Sequence, residues 1–407
     1  MSLIEEKFAK LATDNAPGQE VRQSGGNLDA LLLGETLAGT PVDFSHGDVN
    51  ASAFAPTPGA LEEFVQGVGR GGEQAYTEYR GDAALRMRVA AHLADFTGSP
   101  LSGENELIIT PGTQSALFLA IAATVVAGDK VAIVQPDYFA NRKLVEFSGG
   151  QIVPVQMDYL GNTAHAGLDL SQLEEAFKSG VKTFLFSNPN NPAGVIYSKD
   201  EVEQIATLAN RYGATVIVDQ LYSRLLYSDI DYTHLRATQI DAKNVVTIMG
   251  PSKTESLSGY RLGVAFGAAH IIDRMEKLQA IVSLRAPGYC QAVLRTWFEE
   301  PQGYMQNRIA QHQAIRDDLI QVFRTVSGLT VRAPEAGSYL FPLLPELSVS
   351  MHDFVRILRQ QAGVTVTPGT EFSPHSTNSV RLNFSQNHVA AVQAVERTAQ
   401  LINRYRA

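Results

Sequence analysis

Lys253 stands in Gly-Pro-Ser-Lys-Thr-Glu-Ser-Leu-Ser-Gly-Tyr-Arg-Leu-Gly, residues 250–263, directly after the apolar run Val245–Met249. A lysine held just past a buried strand is a candidate Schiff-base former, and Arg261, eight residues on, is a candidate phosphate anchor. In isolation a surface loop with two solvated cations would look the same. Three other segments of the same kind decide the matter.

The first is Thr110-Pro111-Gly112-Thr113-Gln114, between a short apolar run and a helical pattern. Free backbone N–H groups at a helix start make an anion site, to which the Thr113 hydroxyl adds a donor. As an N-cap, Thr113 would be purely structural. The second is Ser187-Asn188-Pro189-Asn190-Asn191-Pro192-Ala193-Gly194. Two Asn-Pro steps force an extended, tightly turned loop, from which asparagine can donate to a phenolate or carboxylate. The third is Val216-Ile217-Val218-Asp219-Gln220-Leu221-Tyr222, where a buried run ends on a carboxylate. Such a group needs a cation. A protonated pyridine nitrogen is one, and the pair stabilises a carbanion developing through the ring. Tyr222 follows closely enough to donate to a ring oxygen.

These segments must be carried by an alternating framework. Asp82–Phe96 has helical spacing, Glu106–Thr110 reads as a strand and Ser115–Val126 as a helix. Lys130–Gln135, Thr183–Ser187, Thr215–Asp219, Val245–Met249 and Gly263–Phe266 read as further strands, with a helix over Lys199–Tyr212. Continuous apolar runs separated by helices predict an α/β fold with a mostly parallel sheet. The amphipathic Tyr304–Val326 crosses to a smaller α+β region, with strands at 337–341 and 380–384 and a helix within 344–363. The expected division is a large domain over 51–302, and a small domain over 303–407 joined by an N-terminal arm, 1–50. Residues 4–23 read as a helix or arm, and 24–60 as loop and short strands.

The 407 residues carry 44% hydrophobic and 18% charged residues, ordinary for a globular protein and long enough for two domains. A net charge of −9 argues against nucleic acid or an anionic membrane as partner. No secretory pattern opens the chain and no window is apolar enough to span a bilayer. The single Cys290 permits no intrachain disulfide and fits a cytoplasmic location; it reads as a structural thiol.

The strand-end segments together resemble the class I/II aminotransferases, the pyridoxal 5'-phosphate (PLP) group sharing the aspartate aminotransferase fold. The resemblance runs from about residue 43 to 385 and rests on Asn-Pro-x-Asn-Pro-x-Gly, Asp-x-x-Tyr and Ser-Lys-x-x-x-x-x-Gly-x-Arg-x-Gly, in that order. It implies that Lys253 forms the Schiff base with PLP and moves the proton, that Asp219 pairs with the pyridinium, and that Tyr222 and Asn191 bond the phenolic oxygen. Gly112, Thr113, Gln114, Ser252 and Arg261 would line the phosphate, and Tyr138 would stack on the ring. Arg381, in Val-Arg-Leu-Asn-Phe-Ser, would grip the substrate α-carboxylate beside Gly47 and Asn191. Tyr76 resembles the tyrosine that reaches the neighbouring subunit's phosphate, implying a homodimer with shared sites. The implied reaction moves an amino group from an amino acid to a 2-oxo acid, with aspartate as first choice of donor and aromatic or alanine-type donors next.

Two departures stand out. Many relatives carry a serine three residues before the lysine, where this chain has Gly250. Some aspartate-acting relatives place a lysine where this chain has Gln114; Arg80 is a substitute for it, though it reads more simply as an exposed arginine. Tyr339, Phe341 and His46 are further pocket candidates. A Gly-x-Gly-x-x-Gly match at 67–72 follows a helical segment rather than a strand and so lacks the dinucleotide-site context. A PLP lyase or decarboxylase would use the same cofactor residues. A ligand-sensing domain of a transcription regulator would need a DNA-binding unit, and the residues ahead of the large domain show neither a helix-turn-helix pattern nor a basic cluster.

Overall fold

The computed structural model describes residues 2–9, 11, 28–161, 164–227 and 230–407. The arm expected over 4–23 falls largely outside them; within them Leu3–Ala9 is helical.

Seven strands form the central sheet: β1 (Leu107–Thr110), β2 (Lys130–Gln135), β3 (Gln151–Gln156), β4 (Thr183–Ser187), β5 (Thr215–Asp219), β6 (Val245–Met249) and β7 (Gly263–Gly267). Their order is β1-β7-β6-β5-β4-β2-β3. Only β7 runs against the rest, pairing antiparallel with β1 and β6. The C-terminal ends of β1, β2, β4, β5 and β6 therefore share one edge with the N-terminal end of β7. That edge is where open α/β sheets bind ligands.

Alternation explains why the sheet is buried on both faces. Phe184, Phe186, Val216 and Val218 face one core, while Leu185, Ile217, Val246 and Ile248 face the other. Flanking helices are stopped by local chemistry. Asp82 caps Ala83–Thr97 by accepting from the Leu85 N–H at 2.8 Å. Ser198 and Glu201 form a capping box at the start of Lys199–Tyr212, which ends on Gly213 in the left-handed region.

β3 escapes the sequence pattern because Pro154 interrupts it. Proline is tolerated there because β3 is an edge strand, paired only with β2. Other expectations shift at their ends. Tyr304–Phe323 stops three residues early, and only Met351–Ala362 is helical within 344–363. The C-terminal helix His388–Tyr405 was not anticipated.

A second core gathers Phe44, Leu340, Phe354, Leu382, Phe384 and Leu401. Its short strand Tyr339–Leu340 pairs antiparallel with Val380–Asn383, which pairs in turn with Thr367–Pro368. The N-terminal Val42–Asp43 adds a parallel pairing with Val364–Thr365, tying the start of the chain to this second core. Among the described residues no helix is long and apolar enough to cross a membrane.

Candidate active site

The binding edge of the sheet opens on a cavity of about 240 Å³. Its wall includes Gly47, Thr113, Gln114, Tyr138, Asn191, Asp219, Tyr222, Ser252, Lys253, Arg261 and Arg381. Sequence-distant loops thus bring most of the expected residues to one place.

At one end lies an anion cradle. The helix Thr113–Thr124 starts here with Gly112, not Thr113, as its N-cap. Thr113 is therefore inside the first turn, and the purely structural capping role does not apply. The first-turn N–H groups of Thr113 and Gln114 take no backbone partner among the described residues. Such groups attract anions. Arg261 stands opposite in the left-handed region at φ 53°, its Nη1 donating to the Ser258 carbonyl at 3.0 Å. A side chain at Gly112 would overlap the Arg261 guanidinium, so the glycine makes room for the cation. Ser252 is buried beside it.

Gly250 has a physical reason. A Cβ there would lie 2.9 Å from the Thr113 methyl and 3.1 Å from Gly263 Cα. Thr113 occupies the volume a serine at 250 would need.

In the middle, Lys253 is part-buried, and its side-chain amine forms no hydrogen bond or ion pair among the described residues. Burial lowers its pKa to about 8, opposed by the Asp48 charge and assisted by Arg261 and Arg381. Asp219, at the end of β5, accepts the Leu221 N–H at 3.0 Å and has no cation within ion-pairing distance among the described residues. Burial raises its pKa to about 6. The buried Tyr222 hydroxyl donates to the Tyr339 hydroxyl at 2.6 Å, and burial first, then Tyr339, push its pKa well up. Tyr138 donates from its hydroxyl to Gln114 Oε1 at 2.9 Å, and burial raises its pKa as well.

At the other end, Arg381 is 1% exposed. Its Nη1 donates to Asn191 Oδ1 at 3.1 Å and its Nη2 to the Ser45 carbonyl at 2.9 Å, while Nε has no hydrogen-bond partner among the described residues. The guanidinium lies over Tyr339, 4.3 Å from the ring centroid.

Tyr76 is not brought to this cavity. It is 70% exposed, with the Arg285 guanidinium 3.5 Å from its ring centroid. Arg80 is neither exposed nor in the cavity: its side chain is 12% exposed and bonded to Glu276 at 2.5 Å. Among the pocket candidates, Tyr339 lines the cavity, Phe341 is buried against Tyr159 and Phe372, and His46 pairs with Asp43 at 3.2 Å away from it. Residues 67–69 end a helix and Gly72 opens another, so no strand precedes the glycine-rich match.

The sequence reading missed Asp137. It follows β2 and is buried, and burial raises its carboxyl to about 7 while Ser187 and Tyr138 pull it down. The signal was available, since a polar residue just past a buried strand is the rule that found the others.

The donor set can hold a phosphate at one end, a cationic ring nitrogen at Asp219, a carbonyl at Lys253 and a carboxylate at Arg381. Comparison with known proteins agrees. The family described as aminotransferase class I and II matches residues 41–397. An aspartate aminotransferase of Sulfolobus acidocaldarius is 29% identical over 339 residues, covering 82% of this chain and 84% of the relative. The putative aminotransferase YugH of Bacillus subtilis is 28% identical over 337 residues, covering 82% and 86%. A crystal structure described as an aspartate aminotransferase from Rhodobacter sphaeroides 2.4.1 superposes with a TM-score of 0.95 at 64% identity, covering 99% of this chain and all of that one.

Proposed function

This chain belongs to the class I and II aminotransferases and is a PLP-dependent transaminase; we propose that aspartate is its amino donor, a 2-oxo acid its acceptor, and the cavity residues its machinery. The relatives quoted above are aminotransferases by name, several of them aspartate aminotransferases, which disfavours the lyase or decarboxylase reading.

The observation that carries the site assignment is one cavity lined by Lys253, an amine of lowered pKa, and by Asp219, a carboxylate with no cation at ion-pair distance among the described residues. The residues present fit PLP. Asp219 lacks the positive charge that a pyridinium brings, and the wall between Gly112 and Arg261 is shaped for an anion.

When bound, the cofactor supplies an electron sink for the carbanion left as the amino acid loses its Cα proton. The chain does the rest. The Thr113 and Gln114 N–H groups, the Ser252 hydroxyl and Arg261 hold the phosphate. Tyr138 covers a ring face. Asn191 would present a donor to the phenolic oxygen, and Tyr222 would present its one hydroxyl proton there by turning it from Tyr339. Arg381 and the Gly47 backbone grip the α-carboxylate, orienting the Cα–H bond. Lys253 Nζ, whose pKa burial lowers from the ordinary lysine value, would take the proton from Cα and later return one.

We further propose a large domain over 51–302 and a small one over 303–407 with 1–50, working as a cytoplasmic homodimer in which Tyr76 serves the partner subunit's site. Sedimentation of the PLP-loaded protein checks the dimer; a monomer at enzymatic concentrations removes the role of Tyr76.

The decisive test is a half-reaction. Aspartate alone should bleach the yellow PLP-loaded protein, and a 2-oxo acid alone should restore it. Persistence of the yellow form with release of ammonia or carbon dioxide overturns the transaminase assignment. Bleaching by alanine or aromatic amino acids but not by aspartate overturns only the donor.

A further inference from the structure

Asp137 has no role in the chemistry above, yet it is the most heavily bonded carboxylate near the cavity. It is 2% exposed, with no Lys or Arg at ion-pair distance among the described residues. Donors replace the cation. Its Oδ1 accepts from the Tyr138 N–H at 2.6 Å, the Ser187 hydroxyl at 2.7 Å and Asn141 Nδ2 at 3.1 Å. Its Oδ2 accepts from the Ser187 N–H at 2.9 Å and Asn190 Nδ2 at 3.5 Å.

These bonds lead to the site in two directions. One reaches the backbone of Tyr138 directly. The other passes through the Ser187 hydroxyl, which accepts the Asn191 N–H at 3.0 Å. Asn191 Oδ1 then accepts Arg381 Nη1 at 3.1 Å. A hydrogen-bonded line thus runs from the end of β2 to an arginine of the second core. The N–H of Asp137 also donates to the Phe372 carbonyl at 3.1 Å, so both the carboxylate and the backbone of this residue are held.

We propose that Asp137 is a positioning residue that sets the Tyr138 ring and, through Ser187 and Asn191, the Arg381 guanidinium. The inference rests on the roles proposed above for Tyr138, Asn191 and Arg381. An ionised carboxylate suits the position because its two oxygens only accept. An asparagine would turn its own N–H groups toward the Ser187 N–H and Asn190 Nδ2, leaving donors facing donors. Buried unpaired donors strain whatever they are attached to, and here they are attached to the loop that carries Asn191.

The test compares wild type with Asp137→Asn, Ser187→Ala and Asn141→Ala. The Asn141 side chain bonds the same carboxylate but no site residue, and its N–H bond to the Tyr138 carbonyl is kept by alanine. Three quantities are measured: PLP affinity, affinity of the loaded protein for α-methylaspartate (which has no Cα proton to lose), and thermal midpoint. Asp137→Asn should weaken PLP and α-methylaspartate each by about tenfold. Ser187→Ala should weaken α-methylaspartate by about tenfold and PLP by less. Asn141→Ala should lower the midpoint and leave both affinities within about twofold. Wild-type affinities in Asp137→Asn would overturn the proposal, as would affinity losses that follow the midpoint equally in all three variants. If Asp137→Asn does not fold, Ser187→Ala against Asn141→Ala decides on the same criteria. Wild type that binds PLP but not α-methylaspartate overturns the choice of aspartate instead, and the PLP affinities of Asp137→Asn and Asn141→Ala then decide the inference.

Discussion

At one end of the cavity Thr113, Ser252 and Arg261 stand on a helix start and a loop joined to strands of the seven-stranded sheet, whereas at the other Arg381 stands on a short strand of the second core. The first end is shaped by backbone. Glycines at 112, 250 and 263 each leave space that a Cβ would take from Arg261 or Thr113. The second end is held by side chains that cross between cores, Arg381 to Asn191 and Tyr222 to Tyr339. An end made within one close-packed core is fixed when that core folds. An end made of bonds between two cores depends on how the two meet, and that is where a substrate can change the arrangement. The phosphate end should therefore set cofactor affinity, and the carboxylate end should set substrate affinity, with little crossover.

The largest expected effect tests that separation. Arg381→Lys keeps the charge and loses the planar fork that meets a carboxylate with two bonds. Affinity for amino-acid and 2-oxo acid substrates should fall by about a hundredfold, and PLP affinity should stay within about twofold. Titration of each ligand checks this. A parallel loss of PLP affinity would show that the two ends are one unit.

Asp219 lies between the ends and tests the middle through pH. Its carboxyl rises from 3.8 to about 6 in the folded chain. Between those values the folded state binds a proton that the unfolded state has released, so stability falls as pH rises through the window and stays lowered above it. In the PLP-free chain, Asp219→Asn should therefore raise stability by about 3 kcal/mol at about pH 8 and by little at about pH 4. The same variant should bind PLP more weakly, since the charge that costs stability is the one offered to the cofactor. Denaturant unfolding at the two pH values checks the first part. Equal stability of variant and wild type at about pH 8 would mean that the carboxylate is already compensated.

The same contrast explains what could be read from the sequence. The phosphate end was legible because it is local: an apolar strand, a glycine and a helix start lie within a few residues, and Ser252, Lys253 and Arg261 share one segment. Strand limits at Lys130–Gln135, Thr183–Ser187, Thr215–Asp219 and Val245–Met249 followed from uninterrupted apolar runs, which only a sheet covered on both faces requires. The edge strand β3 was hidden by Pro154, a breaker that an edge tolerates. The carboxylate end was less legible because its contacts join residues far apart in sequence. Arg381 was found by resemblance of its segment, but nothing local announces that Asn191 holds it or that Tyr339 meets Tyr222. Arg80 shows the converse, an arginine read as exposed that Glu276, distant in sequence, withdraws from the surface.

The smallest expected effect probes the bond between Tyr222 and Tyr339, a further link between the cores. Both rings are buried, and the hydroxyls sit 2.6 Å apart. Replacing either tyrosine by phenylalanine removes one neutral hydrogen bond and leaves the other hydroxyl facing a ring edge. Each single variant should lose about fivefold in kcat/KM. If the bond sets how the cores meet, the second substitution has little left to remove, and the double variant should lose much less than the product of the two. Multiplying effects would mean that each hydroxyl acts alone, Tyr222 on the cofactor side and Tyr339 on the substrate side. The carboxylate end would then hang on the Arg381–Asn191 contact, and the pairing of tyrosines would be packing rather than coupling.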